Sequence, residues 1–240
     1  MGFQIIKDEK IYFGGYNLTP SVGGFTLEGN VEVQDDTTLG DSTRSNIAGL
    51  KTVSMQIEGK WDGTPYDAAL YGALSLDEKP LSLSNTGVVG QSAYFFNALI
   101  GDYTPAGGSV GDIKEYSAGA VTKSKLIRGI MLLNATALTA SAAGTAYLLA
   151  ATSSTQKLYI ATHMTAFNNG ADTFAVDIES NATGTFSGSQ TVRATITPST
   201  ALNGIWTEVS GPITDTYYRP NYTITGSTPS YGVTIFIGIG

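Results

Sequence analysis

The sequence has 240 residues and a net charge of −7, and it contains no cysteine. Without cysteine there are no disulfides and no thiolate metal sites, so the fold must be stabilised by packing and assembly. The thirteen Lys and Arg residues are scattered among twenty Asp and Glu residues. This argues against binding to a nucleic-acid backbone, which needs clustered positive charge. Only 14% of residues are charged, which is typical either of a subunit covered by its neighbours or of a β-rich domain with a hydroxyl-rich surface.

No segment predicts a membrane partner. The first ten residues, MGFQIIKDEK, lack the apolar core of a signal peptide, so we expect a protein that stays in the cytoplasm until it assembles. The uncharged stretch from Gly129 to Gln156 is long enough to span a bilayer, but Ala, Thr, Ser and Gly dominate it. That composition is too polar to favour hydrocarbon.

An acidic, turn-rich segment occupies residues 35–50 and reads DDTTLGDSTRSNIAGL. It has too little apolar surface to bury, so we expect a loop that is either solvated or ordered by a partner. The residues singled out for such a contact are Asp35, Asp36, Thr38, Asp41 and Arg44. The three aspartates could in principle bind a calcium ion. Their spacing matches no known calcium loop, however, so no metal site is predicted.

The next residues, KTVSMQIEGKW, alternate between apolar and polar side chains. Val53, Met55 and Ile57 fall on one face and Glu58 on the other, which predicts a strand with one buried face and one wet face. A helix is predicted after this strand, with Thr64 as its N-cap and Pro65 at its first helical position, ending near residue 76.

The rest of the chain reads as short strands joined by turns. Strands are expected near residues 94–100 and 116–133, and the second half alternates most clearly over residues 158–164, 174–178 and 191–196. Further strands are predicted over residues 206–209, 217–225 and 233–239. This spacing indicates a sandwich or a barrel.

We therefore predict an all-β fold with one short helix, in three parts. Residues 1–135 form a β-barrel domain, residues 136–156 an Ala/Thr-rich junction, and residues 157–240 a second β-barrel or β-sandwich. The halves share a faint pattern, because each contains a Thr-Val strand, a later Trp, and a Gly-Ile pair at residues 129–130 and 238–239. The pattern suggests a duplication, although short β motifs also match by chance.

No catalytic or cofactor-binding residues are predicted, since the sequence has no nucleophile elbow, phosphate loop or zinc spacing. His163 is the only histidine and lies in an alternating strand, where a hydrogen-bonded structural role is favoured over that of a base. Asp177 and Glu179 share one face of a strand. A solvated or interface face explains such a pair more readily than a carboxylate dyad of the glycosidase kind.

Aromatic side chains offer one alternative function. Tyr217, Tyr218 and Arg219, with Trp206 and Tyr222 nearby in sequence, would suit a platform that stacks on sugars. A carbohydrate-binding β-sandwich of a virion or cell surface is therefore kept as the alternative. Packing at a core or subunit boundary is the commoner use of these residue types.

Three segments resemble the major tail protein, or tail tube protein, of long non-contractile-tailed bacteriophages. They are GGFTLEGNVEVQDDTTLGD, STRSNIAGLKTVSMQIEGKWDG, and the GDIKEY turn with the downstream LIRGIMLLN. The resemblance covers roughly residues 10–135 and is one of pattern and order. The stretch from residue 158 to residue 240 also looks like the second half of longer members of the family.

The resemblance implies a tail-tube-like barrel and a structural role without catalysis. Its subunits would form rings that stack into a tube, located in the virion tail and joined to other tail proteins. DNA would pass through the lumen without specific binding, past a wall that includes Glu58. The segment with Asp35, Asp36, Thr38, Asp41 and Arg44 would contact the next ring. Duplicated halves would give a trimer with pseudo-sixfold symmetry, and an appended second half would give a hexamer.

Overall fold

A computed structural model of the chain describes residues 7–40, 42–61, 65–74, 78–122, 124–168, 172–188, 190–197 and 201–240. The chain is 62% strand and 3% helix, which confirms the predicted all-β class with one short helix. In chain order the elements are β1 Lys10–Phe13, β2 Tyr16–Asn17, β3 Val22–Asp35, β4 Asn46–Lys60, α1 Tyr66–Gly72, β5 Lys79–Ser84, β6 Ser92–Gly107, β7 Glu115–Thr122, β8 Ile127–Leu138, β9 Ala142–Ala143, β10 Tyr147–Leu148, β11 Lys157–Ala166, β12 Thr173–Asn181, β13 Thr191–Ile196, β14 Asn203–Ser210, β15 Tyr217–Thr225 and β16 Tyr231–Ile239.

The chain divides into two compact units whose ranges differ from the predicted boundaries. The first unit comprises Met1–Pro20, Glu78–Asn97 and Ile127–Gly240, and the second comprises Ser21–Asp77 and Ala98–Leu126. The reason is long-range strand pairing. β8, from the first half of the sequence, forms an antiparallel ladder with the distant β16, so the two halves contribute to one sheet.

The first unit contains two sheets. One has the strand order β14-β11-β16-β8-β6-β5-β1-β2, with β6 contributing its first residues, and the other has the order β10-β15-β12-β13, with β9 also pairing with β15. Successive side chains of β11 point to opposite faces of the sheet, so each face packs in a different core cluster. Leu158 and Ile160 pack in a cluster with Val176 and Ile178 of the second sheet. Tyr159 belongs to a separate cluster on the opposite face. The central strands are therefore buried on both faces.

The second unit is a four-stranded antiparallel sheet, in the order β3-β4-β7-β6, with helix α1. The alternation predicted for β4 is present, because Met55 and Ile57 are fully buried whereas Glu58 is exposed. Helix α1 contributes the buried Leu70. Asp67 holds the helix in place by accepting bonds from Trp61 Nε1 (3.3 Å) and the Tyr103 hydroxyl (2.7 Å).

The helix differs from the prediction at its start. Pro65 stands at the N-cap rather than the first helical position, and no side chain caps the helix there. The predicted N-cap, Thr64, and the predicted end at Leu76 both lie outside the described residues. The helix ends at Gly72.

The two Gly-Ile pairs that suggested a duplication are cross-strand neighbours. Gly238 of β16 lies opposite Gly129 of β8. A Cβ atom on Gly129 would lie 2.0 Å from the carbonyl oxygen of Ile237, and one on Gly238 would lie 2.6 Å from Cγ2 of Ile127. Both distances are far below van der Waals contact, so the ladder requires glycine at both positions.

We expect Gly129→Ala to lower the free energy of unfolding by about 2–4 kcal/mol, because the ladder must shift to admit the methyl group. Urea denaturation followed by circular dichroism measures this. Gly72→Ala is the matched control, since a Cβ at Gly72 meets no atom within 4 Å and alanine favours the helix. Equal stability of the Gly129→Ala variant and the wild type would contradict the tight approach of β8 and β16.

Candidate assembly surfaces

β3 and β4 form a hairpin that extends well beyond the sheet that holds it. The two strands pair from Val22↔Gly59 to Asp35↔Asn46, whereas β7 pairs with β4 only over Ser54–Lys60. Every described residue from 28 to 52 is exposed. We call residues 29–52 the β-arm. Its paired part, seven residues on each strand, spans roughly 23 Å at 3.3 Å per residue.

The tip of the β-arm is held by a compact set of hydrogen bonds. Asp36 N–H donates to the Ser45 carbonyl (3.2 Å), and Ser45 N–H donates to Thr37 Oγ1 (3.0 Å). The Asp35 carboxylate accepts from the Thr37 hydroxyl and the Thr37 N–H, and these bonds hold the pKa of Asp35 below its ordinary value. Arg44 Nε lies 3.8 Å from Asp35 Oδ2.

The structure shortens the predicted loop. Residues 46–50 belong to β4 because Asn46, Ile47 and Ala48 pair with Asp35, Gln34 and Val33. Of the residues singled out at the sequence level, Asp35 ends β3, and Asp36, Thr38 and Arg44 lie in the exposed tip. Asp41 lies outside the described residues.

The β-arm carries exposed apolar side chains. Val31 and Val33 continue the face of β3 that also bears Phe25 and Leu27, since side chains two residues apart share a face. Leu27 is partly covered, but Val33 is 65% exposed and Leu50 is 77% exposed. A two-stranded ribbon with a bare apolar face is only marginally stable in water. The β-arm therefore has the composition of a surface that is covered in an assembly.

The hairpin between β6 and β7 also ends in exposed apolar residues. Val110 and Ile113 are both solvent-exposed. The turn that carries them is closed by Asp112 N–H donating to the Ser109 carbonyl (3.0 Å) and by Ser109 N–H donating to Asp112 Oδ2 (3.1 Å). The second unit thus presents apolar residues at two hairpin ends.

The outward face of the four-stranded sheet is polar and acidic. Cross-strand partners share a face, and the register places Gly24, Glu58, Ser117 and Thr104 in one row. Adjacent rows add other charged groups. The charged residues on this face, within the described part of the chain, are Glu28, Glu58, Asp102, Glu115 and Lys60. Four carboxylates and one ammonium give the face a net negative charge.

Among the described residues, the two outer strands of this sheet pair with it on one side only, apart from an isolated parallel bridge between Leu74 and Ile100 of β6. In the order β3-β4-β7-β6, the outer strands are β3 and the part of β6 from residue 98 onward. Outer strands present N–H and C=O groups that pair readily with another chain. The β-arm adds more unpaired strand edge, because β7 pairs with β4 only over Ser54–Lys60 and does not extend beside residues 46–52.

The three titratable residues considered for catalysis are all hydrogen-bonded within the fold. His163 is fully buried, with Nε2 2.8 Å from Ser82 Oγ and Nδ1 2.7 Å from the Gly14 carbonyl. Glu179 accepts bonds from Arg219 Nε (2.7 Å) and Asn221 Nδ2 (2.9 Å). The neighbouring Asp177 accepts a bond from the Thr195 hydroxyl (2.6 Å).

The sugar-stacking platform is not assembled in the way the alternative requires. Tyr218 is completely buried, and Arg219 lies over the ring of Phe186 at 4.3 Å while pairing with Glu179. Trp206 belongs to β14 in the other sheet, where it packs against Phe95 and Tyr159 at ring-centroid distances of 5.8 and 5.7 Å.

Within the described residues, no group of three or more His, Cys, Asp or Glu side chains is placed to hold a metal ion. None of the helices among these residues is long and apolar enough to cross a bilayer.

Sequence reasoning missed the length of the β-arm and three of the four outward carboxylates. The signal for the β-arm was present in NVEVQD, where Val31 and Val33 alternate with polar residues. The carboxylates Glu28, Asp102 and Glu115 lie on three different strands. They share a face only through pairing register, which a single sequence does not reveal.

Comparison with known proteins gives only distant likenesses. No family model matches the chain, and no curated protein matches its sequence. One similar solved structure is a chain from the virion of a native gene transfer agent particle, with 16% identity, a TM-score of 0.43, and coverage of 52% of this chain and 97% of that one. Another is the SPP1 Dit protein, described as a paradigm of the hub adsorption apparatus in phages that infect Gram-positive bacteria. It has 10% identity, a TM-score of 0.40, and coverage of 98% and 100%. Both are virion or phage proteins, but likenesses at these scores establish no function for the chain.

Proposed function

We propose that the chain is a structural virion protein, the repeating subunit of a phage tail tube that stacks in rings around a lumen through which DNA passes. The observation that carries the proposal is the β-arm, an extended and exposed hairpin that carries the apolar side chains of Val31 and Val33 on one face. The sequence resemblance to tail tube proteins supports the same function. The subunit would have no enzymatic role, would reside in the host cytoplasm before assembly, and would contact other tail proteins at the ends of the tube.

Ring closure would use the outer strands of the four-stranded sheet. When β3 of one subunit pairs with the outer part of β6 of the next, the sheets join into one continuous barrel and the exposed edges disappear. Such a contact is heterologous. A closed ring therefore forms only when the rotation from one subunit to the next is a whole-number fraction of a full turn. The acidic face with Glu58 would then line the lumen and repel the phosphates of DNA.

Stacking would use the β-arm. Its tip, with Asp35, Asp36, Thr38, Asp41 and Arg44, would reach the next ring, while Val31 and Val33 would be buried against a neighbouring subunit. At about 25 cal/mol per Å² of apolar surface, burial of these two valines would contribute a few kcal/mol at each contact. Repetition around a ring would multiply that gain.

The number of subunits in a ring distinguishes the two proposed symmetries. A duplicated chain would give three copies with pseudo-sixfold symmetry. Within the described residues, however, the second unit supplies one open-edged, four-stranded sheet, and strands from the second half of the sequence join the first unit instead. We therefore expect six copies in each ring. Native mass spectrometry or class averages of single rings would measure the number, and three copies would support the duplication.

Electron microscopy of the purified chain tests the proposal directly. Tubes built from stacked rings are the expected result. Isolated rings that never stack would indicate a terminal hub of a tail rather than its tube. Monodisperse particles at high protein concentration would overturn the assembly function.

A further inference from the structure

The eight-stranded sheet of the first unit curls until its two ends meet. A Cβ atom on Gly15, which precedes β2, would lie 2.2 Å from the backbone nitrogen of Asn203 at the start of β14. One on Gly204 would lie 2.6 Å from Cγ of Pro80 and 2.7 Å from Cα of Gly14. The segment before β2 is therefore packed backbone to backbone against β14, and β14 also packs against the ring of Pro80 in β5. The sheet order places β14 and β2 at opposite ends, with no pairing between them among the described residues, so packing alone closes the curled sheet into a barrel.

His163 joins the two ends from inside this barrel. It lies on β11, next to β14 at one end of the sheet order, and its ring bonds to groups at the other end. Nδ1 lies 2.7 Å from the Gly14 carbonyl, between β1 and β2, and Nε2 lies 2.8 Å from Ser82 Oγ on β5. A carbonyl oxygen only accepts, so Nδ1 carries the proton. In the neutral ring, Nε2 then accepts from the Ser82 hydroxyl.

The surroundings of the ring suit its neutral form. The rings of Tyr12 (5.5 Å) and Phe236 (5.7 Å) pack against it from β1 and β16. Its cross-strand partners, Thr234 on β16 and Gly204 on β14, carry no charge. Among these neighbours the only titratable group is the Tyr12 hydroxyl, and burial raises the pKa of Tyr12. None of them is an anion that would stabilise a protonated imidazole.

We propose that His163 makes the closure of this barrel dependent on pH, holding β1, β2 and β5 against β11 while neutral and releasing them when protonated. A charged ring would be buried without a counter-ion, and Nε2 would lose its capacity to accept from Ser82. The region that opens therefore contains β1, β2 and β5. This inference is independent of the tail tube proposal.

The direction of the pH effect follows from the pKa. Burial lowers the pKa of His163 from 6.5 to about 4, so the open form binds the proton more readily than the closed form. The contribution of His163 to closure is complete above pH 6.5 and declines as the pH falls toward 4. The equilibrium constant for opening is expected to rise roughly 50-fold between pH 7 and pH 4.5, since each unit of difference in pKa corresponds to a tenfold change.

Nuclear magnetic resonance of histidine-labelled protein tests this without a variant, because the chain contains a single histidine. We expect the ring to stay neutral, with its proton on Nδ1, down to about pH 5. Over the same range, amide exchange corrected for intrinsic rates should increase at Gly14 and Leu18, whose N–H groups donate to the carbonyls of Pro80 and Ile11. These bonds lie among the released strands, which lose the packing that keeps such bonds from opening once they separate from β11. Amides of β12 serve as the internal control and should keep their protection.

His163→Gln provides the matched comparison, since glutamine carries no charge at any of these pH values. The wild-type rise in exchange at Gly14 and Leu18 should be largely absent in this variant. A ring that titrates near pH 6.5 in the folded protein would overturn the proposal. So would equal loss of protection at Gly14 and in β12, because that would mean global acid unfolding instead of barrel opening. Should the variant fail to fold, the labelled wild-type protein still decides the matter.

Discussion

Removal of residues 38–45 is expected to leave a folded subunit that no longer forms tubes. The deletion joins Thr37 to Asn46, and Asn46 already pairs with Asp35. A two-residue turn, Asp36-Thr37, then closes the hairpin, and two residues is the commonest length of a hairpin loop. The core of the second unit is untouched, since residues 29–52 are exposed throughout the described part. Loss of the tip should therefore abolish stacking while changing the melting temperature little.

Two controls separate the possible causes. Replacing residues 38–45 by a Gly/Ser segment of equal length tests whether the tip acts through its sequence or only through its length. Val33→Ser removes an exposed apolar side chain from the β-arm without altering the tip, and it should weaken assembly in proportion to the area that becomes buried. Sedimentation and negative-stain microscopy measure the outcome. Tubes of normal length from the deletion variant would exclude the β-arm tip as the contact between rings.

In the proposed tail tube, reversal of the charge at position 58 with Glu58→Lys is expected to make the lumen hold DNA. Glu58 is exposed and lies in a row with Gly24, Ser117 and Thr104, so lysine fits without a packing change. Each new phosphate contact strengthens binding to duplex DNA. Its contribution to the logarithm of the binding constant falls by about 0.9 for each tenfold rise in salt concentration. A ring repeats that contact once for each subunit. DNA ejection from virions with this variant should be slowed strongly at low salt and recover at high salt.

Glu58→Gln is the neutral control, because it removes the repulsion without creating an attraction. Its ejection rate should lie close to that of the wild type. The tails must first be shown by microscopy to have normal length and diameter. Ejection that does not depend on the residue at position 58, at any salt concentration, would remove Glu58 from the lumen wall.

Local alternation predicted the positions of strands well. The predicted strands at residues 158–164, 174–178 and 191–196 correspond to β11, β12 and β13. In β12 the apolar residues Phe174, Val176 and Ile178 are the buried ones, as alternation predicts, whereas β11 is buried on both faces. The structural role favoured for His163 also agrees with its buried, doubly hydrogen-bonded ring. These features depend on short-range chemistry, which a single sequence carries.

Pairing partners were not predictable in the same way. Nothing in Ile127–Leu138 indicates that its neighbour is Tyr231–Ile239, since the register depends on contacts between segments far apart in sequence. The extent of the β-arm was not predicted, for a different reason. Residues 46–50 look like loop because nothing in the described chain covers them, yet backbone pairing with β3 keeps them extended. Whether Asp35, Asp36, Thr38, Asp41 and Arg44 contact a neighbouring ring stays a prediction.

The central place of β16 has a kinetic consequence. β16 lies between β11 and β8, yet it leaves the ribosome roughly 90 residues after β8, which takes on the order of 5–20 s at typical rates of synthesis. Until β16 emerges, β8 and, once it has been made, β11 expose edges that pair with β16 in the folded chain, and such non-local pairing folds slowly. Nascent chains of this protein should therefore depend on chaperones that shield strand edges. Premature association of incomplete chains would be the main competitor of correct folding in the cell.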